Sequence, residues 1–337
     1  MLAMMFRKYA PAGDFSQLKL VEVAVPSPRS DEVLVKVKAA AINDWELGLL
    51  SGTPYFMRLF IGLFRPKAKV RIIGCDMSGS VEAVGSAVKR FRPGQKVYSD
   101  LSDSGFGAFA EYVCVPEASL HFMPSNLSFA QAAAIPHAGM LALQALRDIG
   151  GIEEGQSLLI NGAGGGVGIL ALQYAKLFKC RVTAVDNKRK QEYLHLLGFD
   201  HCINYEEEDF TESGREYDLI LDVKTTRQPV DYLRALKPGG TYVTVGGESG
   251  LVMKIMRQSK RLARKHGKTV RVLGLKPNKG LKEFTGLIES GKILPAIDKR
   301  YPLKEVPKAL HRFAEAKQEG KIIINVEEAT VIPAGGE

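Results

Sequence analysis

The sequence predicts an α/β protein in which a doubly wound parallel-sheet domain is joined to a mostly β domain. Three observations carry this expectation. Leu158-Leu-Ile160 is a short apolar strand that runs directly into Asn161-Gly-Ala-Gly-Gly-Gly-Val-Gly168. Val167, Leu170, Ala171, Tyr174 and Leu177 then recur at i, i+3, i+4, i+7 and i+10, one face of an amphipathic helix. Arg181-Val-Thr-Ala-Val185 follows as a second strand and ends in Asp186, 24 residues after Gly162.

Strand, glycine turn, helix, strand and acid together read as a dinucleotide site. Glycine lets the backbone turn sharply and approach a pyrophosphate, and the free N–H groups at a helix start attract its charge. The spacing of Gly162, Gly165 and Gly168 is G-x-x-G-x-x-G rather than the commoner G-x-G-x-x-G, and the flanking elements carry the assignment. The whole run Gly162, Ala163, Gly164, Gly165, Gly166, Val167 and Gly168 is therefore expected to hold the cofactor. Asp186 stands near the place of the acid that accepts from the ribose hydroxyls.

The remaining elements extend the pattern on both sides. From Val21 to about Val115, Val33-Leu-Val-Lys-Val37, Gly79 to Gly85 and Pro93 to Tyr98 show strand alternation punctuated by Pro and Gly. Residues 124–154 turn Ala-rich and helical, with Leu141, Ala145, Leu146 and Ile149 on one face. After Asp186 we expect a helix over 188–197, strands over 201–205 and 217–223, and a helix over 229–236. Strands over 240–245 and 270–275 follow. Strands alternating with helices imply a parallel sheet. Over 293–326 a strand, a helix carrying Val306, Ala309, Leu310 and Phe313, and the strand Lys321-Ile-Ile-Ile-Asn-Val326 most simply complete the β domain. The expected boundaries are 1–125 with 291–337 for the β domain and 126–290 for the nucleotide domain.

A chain of 337 residues exceeds the size at which one core usually stops growing, so two domains are the default. No stretch approaches 18 uninterrupted apolar residues, which argues against a spanning helix. The apolar start is too short for a secretory signal. Cys75, Cys114, Cys180 and Cys202 are scattered without a C-x-x-C pair, which argues against a disulfide framework or zinc knuckle and suits a reducing cytoplasm. Between Lys254 and Arg271 there are eight Lys or Arg and no acid, so this run accounts for eight of the nine net positive charges. It reads first as a solvated helix face; an anionic membrane surface, a protein partner or a lid near cofactor phosphates are the alternatives. Nucleic acid is disfavoured, because no reader module accompanies the charge.

The organisation resembles the medium-chain dehydrogenase/reductase superfamily over essentially the full length, and within it the zinc-free quinone oxidoreductases. The likeness is carried by Ala40-Ala-Ile-Asn-Asp-Trp45, Ile73-Gly-Cys-Asp-Met-Ser-Gly79, Phe91-Arg-Pro-Gly-Gln-Lys-Val97, Gly107 to Val113, Gly164 to Gly168 and Gly320-Lys-Ile-Ile-Ile324. Asp44-Trp45, Phe64-Arg-Pro66 and Tyr217 to Asp222 also look like bacterial relatives of the mitochondrial reticulon-interacting oxidoreductases. The resemblance implies a GroES-like catalytic domain, a Rossmann domain and chemistry in the cleft between them. In zinc-dependent members Cys, His and Cys hold the metal with a Glu beside the His. Here those positions are Asn43, Cys75 and His137, with Asp76 for the Glu, so the expectation is no zinc.

Without a metal, hydride transfer needs an activated acceptor, and the expected substrate is a quinone, enone or similar conjugated carbonyl. The alternatives are an alcohol dehydrogenase with altered zinc ligands and a non-catalytic NAD(P)-binding sensor. Asn43 is the first substrate-side candidate and Tyr55 the second, each as a hydrogen-bond donor; Asp76 and His137 follow. The insertion Phe56 to Ala68 is unusually apolar and either lines an acceptor pocket or packs as a helix on the core. Lys188, Arg189 and Lys190 follow Asp186 and could pair with a 2′-phosphate, and Arg189 and Tyr205 match positions that contact it in NADPH-dependent relatives, so NADP(H) is narrowly preferred to NAD(H) despite Asp186. Lys321 is a further phosphate-side candidate by the same resemblance. Val245, Gly246, Gly247 and Leu275 are expected at parallel-strand ends near the nicotinamide. A homodimer paired along 270–275 is also implied.

Overall fold

The structure is a computed structural model and describes residues 1–327. Residues 328–337, which the expected boundary at 337 includes, lie outside the described residues. The chain forms two compact units, one of Met1–His137, Pro277–Glu289 and the described part of Pro295–Glu337, the other of Ala138–Lys276 and Ser290–Leu294.

In the first unit, β1 (Leu2–Met5) and β2 (Lys19–Glu22) form an antiparallel pair. The long β3 (Glu32–Ala41) leads into α1 (Asp44–Ser51), and the short α2 (Arg58–Ile61) lies in the following insertion. Next come β4 (Asp76–Val84), β5 (Lys96–Asp100), β6 (Tyr112–Pro116), β7 (His121–Phe122), α3 (Phe129–Ala133) and α4 (Pro136–Leu143). The second unit runs through β8 (Ser157–Asn161), α5 (Gly166–Lys176), β9 (Arg181–Asp186), α6 (Gln191–Leu196), β10 (His201–Asn204), β11 (Tyr217–Asp222), α7 (Pro229–Arg234), β12 (Leu236–Thr244), α8 (Ser249–His266) and β13 (Thr269–Val272). The chain then returns to the first unit with α9 (Leu281–Glu289), β14 (Ile297–Pro302), α10 (Val306–Ala314) and β15 (Lys321–Asn325).

The first unit's main sheet has the order β14-β15-β3-β4-β5-β7, with β6 paired to β3. Its core interleaves alternate residues of these strands, Val33, Val35, Val37, Met77, Val97, Ile322 and Ile324, with Phe91, Phe109 and Leu310. Segment 277–289 belongs here, although the sequence boundaries put it with the nucleotide domain. Side chains explain the difference: the Asn278 amide donates to Asp100 O at 2.8 Å, and Tyr98 and Thr285 share a hydroxyl bond of 2.7 Å.

The second unit is a six-stranded parallel sheet in the order β10-β9-β8-β11-β12-β13. Numbered from β8 this is 3-2-1-4-5-6, the Rossmann arrangement of two mononucleotide-binding halves meeting at a switch point between the first and fourth strands. Two expected elements are shorter than the sequence suggested. Residues 188–197 split into a 3-10 turn at Lys188–Lys190 and the helix α6, and the last strand stops at Val272 rather than Leu275. Among the described residues no helix is long and apolar enough to cross a membrane.

Candidate active site

Strand register assembles a buried polar cluster in the first unit. The antiparallel pairing of β15 with β3 sets Ile323 opposite Ala41, and Ile42 N donates to Ile322 O. Two residues further on in opposite directions, Asn43 and Lys321 meet: the Lys321 ammonium donates to Asn43 Oδ1 at 2.6 Å and to Ile42 O at 3.0 Å. The pairing of β4 with β5 likewise sets Asp76 opposite Asp100. Two carboxylates directly across a strand pair repel one another, and each here has a cation to offset that cost. Lys321 Nζ lies 3.3 Å from Asp76 Oδ2, and His137 Nδ1 lies 2.8 Å from Asp100 Oδ2.

Three further contacts close the cluster. The His137 backbone N–H, a free donor in the first turn of α4, donates to Asp76 Oδ1 at 2.8 Å. The Asn43 amide donates to Asp76 Oδ2 at 3.0 Å and to Cys75 Sγ at 3.1 Å. Glu46 clamps two chain segments, its carboxylate accepting from Asn43 N at 2.7 Å and Cys75 N at 3.1 Å. All seven side chains are buried.

Burial and the neighbours set the protonation pattern. Desolvation pushes the Glu46 carboxyl up to about 7, and it raises Asp76 despite the opposing pull of Lys321. Asp100 is held below the usual carboxylate range, because the hydrogen bond and charge of His137 with the donors from Ser102 outweigh desolvation. His137 is raised, since the attraction of Asp100 and Asp76 exceeds the desolvation that would lower it. Desolvation and three nearby acids drive the Cys75 thiol far up, which keeps it protonated.

Cys75, Asp100 and His137 offer ligand atoms within 4.8 Å of one another, so the fit to a zinc ion can be judged. Thiolate, carboxylate and imidazole are each acceptable donors. The set is nevertheless a poor match, because the neighbouring Asn43 offers only an amide, whose nitrogen donates to Cys75 Sγ and whose oxygen accepts from Lys321. The Lys321 ammonium already supplies a cation to the same cluster.

In the second unit the glycine run turns from β8 into α5. Gly162 has φ +84°, the left-handed region that favours glycine. A Cβ on Gly168 would lie 2.3 Å from Ala163 O, so this residue permits the close approach of helix to turn. Asp186 Oδ2 accepts from Gly164 N at 2.8 Å, and its other oxygen lies 3.3 Å from the buried Lys190 ammonium. Lys188 and Arg189 are exposed beside it, and Tyr205 follows β10, whose last residue Asn204 pairs with Asp186. At the switch point Asn161 Nδ2 donates to Asp222 Oδ1 at 2.7 Å, tying the carboxyl ends of β8 and β11. Val245, Gly246 and Gly247 follow β12, where Gly247 bridges Thr225; Leu275 lies beyond the end of β13.

The structure thus brings Asn43, Asp76 and His137 together, and it adds Glu46 and Asp100, which the sequence reading missed. Asn43-x-x-Glu46 is a helix-start pattern that could have revealed Glu46. Nothing local marks Asp100. Tyr55 is not in the cluster: it is 73% exposed and lies under the Arg58 guanidinium, 4.9 Å from its ring centre. Lys321, expected on the phosphate side, is committed to the Asn43 cluster.

Comparison with known proteins supplies relatives for both units. Residues 29–125 match the alcohol dehydrogenase GroES-like domain model, and residues 197–324 match a zinc-binding dehydrogenase model. A 2-methylene-furan-3-one reductase of Solanum lycopersicum is 31% identical over 94% of this chain and 78% of its own. The mitochondrial NAD(P)H oxidoreductase RTN4IP1 of Bos taurus is 30% identical over 88% of this chain and 82% of its own. The quinone oxidoreductase structure from Coxiella burnetii superposes with a TM-score of 0.85 at 29% identity, covering 97% of this chain and 99% of that one.

Proposed function

We propose that this chain, which belongs to the medium-chain dehydrogenase/reductase superfamily among its quinone oxidoreductases, reduces quinones, enones or similar conjugated carbonyls with NAD(P)H and without a catalytic zinc. The observation that carries the zinc-free part is the Asn43–Asp76–Lys321 arrangement with the Asp100–His137 pair, a cluster already satisfied by its own cation and hydrogen bonds. The names of the tomato and Coxiella relatives support the acceptor class.

When bound, the dinucleotide supplies a hydride from the nicotinamide, and the acceptor needs one proton to complete a two-electron reduction. In our reading the chain's own residues bind, position and supply that proton. The loop 162–168 holds the pyrophosphate through backbone N–H groups. His137, whose pKa Asp100 raises, is the proton-bearing group of the cluster. Asn43 and Asp76 keep it in place, since Asp76 accepts from the His137 N–H and Asn43 in turn binds Asp76. Tyr55 has no geometric support in this role beyond its exposure.

NADP(H) remains our preferred cofactor. Asp186 is neutralised by Lys190 and bonded to Gly164, which weakens its repulsion of a 2′-phosphate, and Lys188 and Arg189 are exposed beside it. A homodimer through β13, an edge of its sheet, belongs to the same reading, and the four free cysteines suit a reducing cytoplasm. The test is oxidation of NADPH and NADH against a panel of quinones and enones, with zinc measured in the same sample. Turnover that tracks bound zinc would favour the alcohol dehydrogenase alternative; cofactor binding with no turnover would favour the sensor.

A further inference from the structure

Phe56, Leu59, Phe60, Leu63 and Phe64 recur at i, i+3, i+4, i+7 and i+8, the spacing of one helix face. Such a stripe ordinarily turns inward. In the structure α2 ends at Ile61 and Gly62 takes φ +127°, so the five do not share one helix, yet every one of them is more than half exposed, while Ile61, Gly62 and Pro66 are the buried residues of the segment. The segment is fastened to its own unit: the Arg58 guanidinium donates to Ser51 O at 2.9 Å and Gly52 O at 3.0 Å, and the Tyr9 hydroxyl donates to Gly62 O. An anchored element that presents large apolar side chains to solvent is an interaction surface.

Charge identifies the kind of partner. Between Glu46 and Asp76 the chain has no acid, while Arg58, Arg65, Lys67, Lys69 and Arg71 fall within that stretch. Among the described residues no carboxylate pairs with these five. Exposed aromatic and leucine side chains beside unpaired cations match an anionic lipid surface, where the former enter the headgroup boundary and the latter meet the charge.

We propose that the chain docks peripherally on anionic lipid bilayers, inserting the 56–64 stripe and using the cations of the 58–71 stretch around it for attraction. This does not depend on the reading of the catalytic chemistry. The test is co-sedimentation of the full chain with phosphatidylcholine vesicles, with and without phosphatidylserine. Expected are binding that requires phosphatidylserine and weakens with salt, a loss of tenfold or more in the Phe60→Ser/Phe64→Ser variant, and a loss of about 25-fold in Lys67→Gln/Lys69→Gln, about fivefold per cation. Cofactor binding and far-ultraviolet circular dichroism establish that the variants are folded. The proposal is overturned if phosphatidylserine makes no difference. It is also overturned if the Phe variant binds vesicles normally but has a raised KM for a water-soluble quinone, which would make the stripe an acceptor wall. Conversion of a dimer to a monomer by the Phe variant, with vesicle binding unchanged, would assign the stripe to self-association and overturn it too.

Discussion

His137 Nδ1 lies 2.8 Å from Asp100 Oδ2, a buried pair in which each partner sustains the charge of the other. Asp100 is lowered, so its contribution to stability is present above the ordinary carboxylate value and is lost as pH falls through the lower folded value. His137 is raised, so its contribution is present below the ordinary imidazole value and is lost as pH rises through the higher folded one. Asp100→Asn leaves the imidazole without its carboxylate; unfolding by denaturant should show a loss of about 3–5 kcal/mol near pH 6. The alkaline limb of kcat should move to lower pH, and an unchanged limb would remove His137 from proton transfer.

Glu46 behaves in the opposite sense. Its carboxyl is pushed up to about 7, so between about 4.5 and 7 the folded chain holds a proton that the unfolded chain releases, and this group costs stability as pH rises through that window. Above it the cost is roughly 3 kcal/mol. Glu46→Gln should flatten the dependence of unfolding free energy on pH from 4.5 to 7. An unaltered slope would place the titrating group elsewhere.

Two glycines of the same loop should tolerate a methyl group differently. A Cβ on Gly168 meets the Ala163 backbone at 2.3 Å, which cannot move without reshaping the turn. On Gly164 the nearest atom is Lys190 Cδ at 2.6 Å, in a flexible side chain, with Asp186 Oδ2 at 3.1 Å. Gly168→Ala should abolish NADPH binding in calorimetry, whereas Gly164→Ala should retain it at reduced affinity. Equal tolerance of both would refute this assignment of the third glycine.

Cofactor choice can be read from one exposed guanidinium. Arg189→Ala should lower kcat/KM for NADPH about tenfold, the equivalent of about 1.4 kcal/mol, and leave NADH nearly unaffected. An equal fall with both cofactors would mean that Arg189 does not contact the 2′-phosphate.

The thiols should be slow. Cys75 is buried with a strongly raised pKa, and burial pushes Cys114 and Cys202 up to about 11. At pH 8 a disulfide reagent should titrate native protein far more slowly than unfolded protein.

The nucleotide half was legible because its signals are local. A turn that must carry glycine lies between a strand and a helix, and Asp186 follows at a fixed distance along the chain. The polar cluster of the first unit was only partly legible. Asn43, Asp76, His137 and Lys321 could be named by resemblance, but Lys321 was expected on the phosphate side, and its place beside Asn43 follows from the pairing of β15 with β3, as that of Asp100 follows from the pairing of β4 with β5. Register between strands remote in sequence leaves no local mark. The 56–64 stripe illustrates a different limit: periodicity suggests one apolar helix face, but α2 ends at Ile61, and only the packing of Ile61 and Pro66 tells which side meets the protein.

The central claim is hydride transfer to a conjugated carbonyl without zinc, and it is tested most directly by assaying NADPH-dependent quinone reduction on protein from which metal has been removed by chelation, with zinc content measured on the assayed sample. Full turnover in the metal-free protein is the predicted result. Loss of activity on chelation, restored by one zinc per chain, would contradict it.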